Sequence, residues 1–239
     1  WPLEGATQVQ VSELAPMSPS ATGSLFAQLD AVTDRLVLTE NSVDVTASAQ
    51  VLSVSLYYLS TAEVDIVVQQ RVEGVSTWTD ARREILPASA TWREIQFFAV
   101  VEDPIFRVVI EGRAIPSEFF VHDPRVTRVF AQAPEEKTSS TTAGVHTKHV
   151  WAGLTPSSSY LVMVVPSATP AAGIFTLSND DSAPTFALSR PFVASSEVGY
   201  AEVIQPRIGT VALQVPAGYP VGDMKLVPYR GLFRGRLNG

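Results

Sequence analysis

The chain has 239 residues, of which 46% are hydrophobic and 17% charged, with a formal net charge of −7 and no cysteine. This composition excludes a disordered chain, a disulfide framework and a thiolate metal site. The acidic balance argues against a nucleic-acid groove, and no apolar run approaches the roughly 20 residues of a membrane span.

The length fits two domains of about 100–120 residues. The chain begins at Trp1 without a signal-like segment, which reads as an excerpt or processed product of a longer polypeptide. Residues 1–24 are rich in Ser, Pro, Ala and Thr without a sustained period. They predict an extended arm that joins a sheet edge or docks on a neighbour, with a short strand at Val9 and Val11. Leu25 to Asp34 fits either a short helix or an edge strand.

From Arg35 the pattern is that of strands. Leu36–Leu38 and Val43–Val45 flank the turn signal Glu40-Asn41-Ser42, and Val51–Leu59 and Val64–Gln70 alternate with β-branched and aromatic residues. Gly74 to Thr91 reads as a long connection containing Trp78, Arg82, Arg83 and Pro87. Trp92–Ala99, Phe106–Glu111 and Phe119–Val129 then supply three more strands. Seven or eight strands at this spacing predict a β-sandwich over residues 25–130, and the even number favours a jelly roll.

Residues 131–144 (AQAPEEKTSSTTAG) are polar and Pro/Ser/Thr-rich and predict a linker. Residues 145–239 repeat the strand pattern. Tyr160 lies 108 residues after Leu52, Gly173 109 after Val64 and Tyr200 108 after Trp92, whereas Thr210 and Met224 lie 104 after Phe106 and Phe120. A near-constant offset with one deletion in a turn predicts a duplicated domain, because turns absorb length changes and strands do not. The expected fold is all-β: two tandem antiparallel jelly-roll sandwiches behind an extended N-terminal arm. The local basic excess from Arg230 to Arg236 reads as an ordinary solvated tail rather than a binding arm.

Trp92-Arg93-Glu94, Phe106–Ile110 and Phe120-Val-His-Asp123-Pro-Arg-Val126 together resemble the C-terminal half of galactose-binding-like jelly rolls, which include many carbohydrate-binding modules. Tyr200–Glu202, Val211–Val215 and Met224–Val227 echo them. The resemblance covers residues 31–129 and, more loosely, 145–230. It implies sugar-binding or adhesive domains, as on bacteriophage appendages or beside glycosidases, and a structural calcium ion near the first strands. Asp30, Asp34 and Glu40 would be its available ligands, and the sequence assigns none of them.

A search for chemistry finds no Gly-x-Ser-x-Gly, phosphate loop or dinucleotide fingerprint. His146 and His149, three apart on a strand, point to opposite faces, and so do His122 and Asp123. Neither pair predicts a metal site or an acid–base couple. Glu94, Glu111 and Glu118 are candidates for a glycosidase pair, yet nothing selects two of them. Asn179-Asp180-Asp181 reads as a solvated turn. The apolar tips Pro216–Pro220 and Pro104–Phe106 are candidate protein contacts. Trp92 and Trp151, which open strands, read as core or sheet-edge packing.

Trp78, in a polar loop, is the candidate exposed platform for stacking a sugar, with Tyr58 beside it and Arg82 as hydrogen-bonding partner. The commoner fate of such a tryptophan is to cover one end of the sandwich. These features predict a non-catalytic structural or adhesion protein of a virion surface or another extracellular setting. It would pack against itself and other structural subunits, touch cell-surface polysaccharide, and need no cofactor. The alternative is a carbohydrate-binding module of a secreted polysaccharide-degrading enzyme.

Overall fold

The computed structural model describes residues 3–4, 8–12, 24–43, 45, 49–129, 134–179, 187–192 and 198–231. Every regular element among them is a strand. The chain forms two compact units that divide after Arg128.

In the first unit, β1 (Leu3–Glu4), β4 (Arg35–Ser42), β9 (Ile105–Gly112), β6 (Val64–Arg71) and β7 (Thr79–Leu86) form sheet one in the order β1-β4-β9-β6-β7. Sheet two runs β2-β3-β10-β5-β8, from β2 (Gln8–Ser12), β3 (Ser24–Leu29), β10 (Ser117–Val129), β5 (Gln50–Ser60) and β8 (Ser89–Val101). Taken from β3 to β10, these eight strands have jelly-roll order, first-eighth-third-sixth in one sheet and second-seventh-fourth-fifth in the other. The inward residues are those that alternation places there. Leu52, Val54, Leu56 and Tyr58 of β5 and Phe119 of β10 are buried against Ile66, Val68, Val108 and Ile110 of the facing sheet.

The second unit repeats this order. β12 (His146–Ala152), β17 (Thr210–Pro216), β14 (Gly173–Ser178) and β15 (Ala187–Phe192) follow one another in sheet three, with β11 (Ser139–Ala143) on its edge beside β12. β16 (Tyr200–Ile204), β13 (Tyr160–Pro166) and β18 (Val221–Pro228) form sheet four in the order β16-β13-β18. Each of these except β11 takes the place of the strand eight earlier in the chain. Among the described residues the counterpart of β3 is a single bridge, Glu135 to Leu226 on β18. The core packs Trp151, Phe175, Tyr200 and Leu213, with Phe175 stacked on Tyr200 at 4.7 Å and edge-on to Tyr219 at 5.0 Å.

Several sequence expectations change here. Within the expected linker, residues 139–143 are a strand, because β11 pairs with β12 from Ser139↔Val150 to Ala143↔His146. Ser and Thr suit an exposed edge, and their polarity conceals the strand. Glu40-Asn41-Ser42 is not a turn. It lies within β4, which runs on to Ser42 past a register shift between Val37 and Thr39. The long connection after Gly74 contains β7, disguised because its inward positions include Arg82. Leu25 opens no helix, since β3 is a strand, and the arm's described residues pair with β3 and β4. The offset also slips. Leu52 pairs with Ala99, and Tyr160 with Ile204, so β16 follows β8 by 105 residues where β13 follows β5 by 108. Tyr219 sits against the core rather than on an exposed tip. Asp180, Asp181 and the tail beyond Gly231 lie outside the described residues.

Candidate functional site

Alternation gives each sheet of the first unit an inward and an outward face, and the two outward faces differ in chemistry. Sheet one carries a charged network outside. Arg83 bonds Asp65 at 2.7 Å, Asp80 at 2.8 Å and Glu111 at 2.8 Å, while Arg35 reaches Glu111 at 2.7 Å and Arg113 reaches Asp65 at 3.0 Å. Burial works against the Arg83 charge, but its hydrogen bonds to Asp80, Asp65 and Glu111 outweigh that and raise its pKa. Beneath these groups Val37, Val67 and Val109 form a small apolar floor. With each cation already committed to carboxylates, this face reads as a self-satisfied cover.

Trp78 stands at one end of that face and is half-buried. Arg71 and Arg107 lie over its ring, 4.7 and 4.3 Å from the centroid. Arg107 also donates from Nε to Gln69 Oε1 at 2.9 Å, and Gln69 Nε2 donates to Asp80 Oδ1 at 2.9 Å. The indole is therefore gripped by the protein's own cations rather than offered as an open platform.

The two residues expected beside Trp78 belong to the core. Tyr58 is 3% exposed and stacks on Phe119 at 6.1 Å. Burial raises its phenol pKa, opposed by Arg93. Arg82 is fully buried. Its Nη1 donates to the Phe98 carbonyl at 2.6 Å and its Nη2 to Glu84 Oε2 at 2.9 Å, and its guanidinium lies 5.4 Å from the Phe97 ring. It ties sheet one to sheet two from inside. Neither residue can reach a ligand, so of the predicted trio only Trp78 remains near solvent.

The outward face of sheet two is of another kind. The pairings Phe26↔Phe120, Tyr57↔Glu94 and Ser55↔Gln96 place Phe26 (β3), Phe120 and His122 (β10), Tyr57 (β5) and Trp92 (β8) on one side. These rings stand on four neighbouring strands, and each is half-buried. Phe26 and Phe120 are 4.8 Å apart. His122 lies 6.3 Å from Tyr57 and 6.4 Å from Trp92, the latter edge-on. Gln96 Nε2 donates to Ser53 Oγ at 3.0 Å within the same face.

A local break beside His122 helps aim this row. Asp123 has φ of 48°, a left-handed conformation that Asp tolerates, and Arg125 grips its carboxylate through Nε at 3.0 Å and Nη2 at 2.8 Å. His122–Asp123 is thus a bend inside β10, which continues to Val129, and not a strand end.

Of the two fates expected for Trp92, core or sheet edge, it has the second, since β8 is an edge strand of sheet two, whereas Trp151 is core. Sequence reading missed the row because it weighed the loop tryptophan above the strand tryptophan. The signal was present as Trp92-x-Glu94-x-Gln96, whose alternation against Ile95 and Phe97 sets Trp92 on the polar side.

The remaining candidates are placed as follows. His149 is buried at 6% exposure while His146 is exposed, on the opposite face of β12. Glu111 serves the charged network, and Glu94 and Glu118 share the outward side of sheet two. Asp34 Oδ2 accepts the backbone N–H groups of Asp30 and Ala31 and closes a turn, and Glu40 pairs with Arg71. Among the described residues no group of three His, Asp or Glu side chains could hold a metal ion, and no helix is long and apolar enough to cross a membrane.

No protein-family model and no curated protein matches the sequence. Among solved structures the chain is similar to the N-terminal CBM22-1–CBM22-2 tandem domain of Paenibacillus barcinonensis Xyn10C. The identity is 13% and the TM-score 0.43, covering 97% of this chain and 86% of that one. It is also similar, at 10% identity and a TM-score of 0.28, to the PBSX exported protein XepA, with 91% of each chain covered.

Proposed function

We propose that this chain is a non-catalytic structural and adhesion module that holds polysaccharide against the outward face of sheet two. The observation that carries this reading is the row Phe26, Phe120, Tyr57 and Trp92, half-buried on four neighbouring strands and interleaved with Glu94, Gln96 and His122. Pyranose rings present flat C–H faces that stack on aromatic side chains, and their hydroxyls need polar partners between the stacks. Regular strands supply both at a fixed spacing.

The setting we propose is a virion surface, where such a module would pack against other subunits and meet cell-surface glycan. A chain without cysteine suits assembly in a reducing cytoplasm followed by exposure outside. The same face would equally serve a module appended to a polysaccharide-degrading enzyme, and particle imaging that finds the chain in a symmetric assembly separates the two settings.

Affinity gel electrophoresis of the full chain through a panel of soluble polysaccharides tests the binding. At least one should retard the wild type. Trp92→Ala should weaken that binding by about thirtyfold, the cost of removing one central aromatic anchor of roughly 2 kcal/mol, while Trp78→Ala leaves it unchanged. Retardation lost with Trp78→Ala and kept with Trp92→Ala would contradict the assignment, as would measurable turnover of any glycan in the panel.

A further inference from the structure

The aromatic face also has a direction, and the inference drawn from it rests on the binding role just proposed. Along a strand the aromatic character soon gives way to polar side chains. On the outward side Phe26 stands between Ser24 and Gln28 on β3, Tyr57 follows Ser53 and Ser55 on β5, and Trp92 precedes Glu94 and Gln96 on β8. Across the strands it persists, through β3, β10, β5 and β8 in that order. Phe26 and Phe120 face each other in register with rings 4.8 Å apart. His122, two residues on, lies 6.3 Å from Tyr57 and 6.4 Å from Trp92. The polar positions make a second lane beside the rings, where Glu94 pairs with Tyr57 and Gln96 with Ser55.

We infer that this face takes an extended, β-linked polysaccharide laid across the strands, with about four consecutive sugars in contact. Neighbouring strands lie ~4.8 Å apart, so four of them set the outermost rings about 14 Å from each other. In a chain of equatorially linked pyranoses each sugar advances by close to that same spacing. Such a chain stays straight, so successive sugars meet successive strands. An axially linked α-glucan coils instead, and a coil leaves a flat row after one or two contacts. The polar lane lies along one flank of the straight chain, where its equatorial hydroxyls point. Each further sugar binds as a tethered neighbour of the one before it, so affinity grows with chain length until the row is filled.

Calorimetric titration of the full chain with cello- and manno-oligosaccharides of two to six sugars tests this, with malto-oligosaccharides of equal length alongside. In at least one β-linked series each added sugar should tighten binding by about fivefold up to four sugars, with little gain beyond. The maltohexaose should bind at least about tenfold more weakly than the better β-linked hexasaccharide. Phe26→Ala, at one end of the row, should weaken that hexasaccharide by about fivefold and end the gain at three sugars. Its trisaccharide affinity should stay that of the wild type, which also shows the variant to be folded. A β-linked disaccharide bound as tightly as the hexasaccharide would overturn the cross-strand path and leave the face in place. Maltohexaose bound as tightly as the β-linked chains would do the same, and an unmoved hexasaccharide in Phe26→Ala would overturn the four-strand extent. If no oligosaccharide binds while a polysaccharide still retards the chain in the gel, the inference fails alone. If neither binds, the face fails with it.

Discussion

Two buried polar residues show how side-chain chemistry fixes each unit. Arg82 is fully enclosed and gives its charge to Glu84 and its second arm to the Phe98 carbonyl. Arg82→Ala would remove both bonds and leave a cavity in the core, and should destabilise the first unit by roughly 3 kcal/mol, read as a lower urea midpoint. Arg82→Met, which refills the volume but not the bonds, should recover part of that loss.

In the second unit His149 is enclosed beside Leu213, with Nδ1 in a 3.0 Å hydrogen bond to Ser140 Oγ. Burial, and then the nearby Lys137 charge, lower its pKa from the ordinary 6.5. The folded chain therefore resists a proton that the unfolded chain accepts, so the unfolded state binds more protons as the pH falls below 6.5. Stability is full above that value and declines below it. Urea midpoints at about pH 5 and about pH 7.5 should differ for the wild type, and by less for His149→Leu. An equal pH dependence in both chains would contradict the assignment.

At the scale of the element, legibility tracked alternation. β5, β6, β9 and β13 carry apolar or β-branched residues at nearly every inward position, so their pattern and their structure agree. β7 escaped notice because Arg82 occupies an inward position that pattern reading reserves for apolar groups. β11 escaped because Ser139 to Thr142 have the polarity of a linker, and only pairing with β12 reveals a strand. The two readings of residues 139–143 make opposite forecasts. Proline at both Ser140 and Thr141 removes at least one ladder hydrogen bond, because adjacent residues alternate in donating toward the neighbour. The second unit should lose about 2 kcal/mol by urea unfolding, whereas a free linker would tolerate the change. The aromatic face was partly legible too. The stretch from Trp92 to Val129 holds three of its rings, but deciding which member of Tyr57–Tyr58 or Phe119–Phe120 points outward required the register.

For the whole molecule, the sequence offset foretold a repeat that the strand order bears out, while hiding how the copies differ. A slip of three residues between β13 and β16 changes which residues face out, since an odd shift exchanges the two sides of a strand. Among its described residues the second unit does not repeat the row. Where sheet two carries Ser53, Ser55 and Tyr57 on β5 and Phe98 on β8, sheet four carries Leu161, Met163, Val165 and Val203, all buried. The duplicated architecture thus supports unlike surfaces, and the adhesive role proposed for this chain rests on the first unit alone.

Residue-resolved hydroxyl-radical footprinting of the full chain, with and without the tightest-binding soluble polysaccharide, tests that claim most directly. The expected result is protection of Trp92, Tyr57 and Phe120 on addition of the polysaccharide, with Trp78 modified equally in both samples. Unchanged modification of Trp92 at saturation, or protection centred on Trp78, would contradict it.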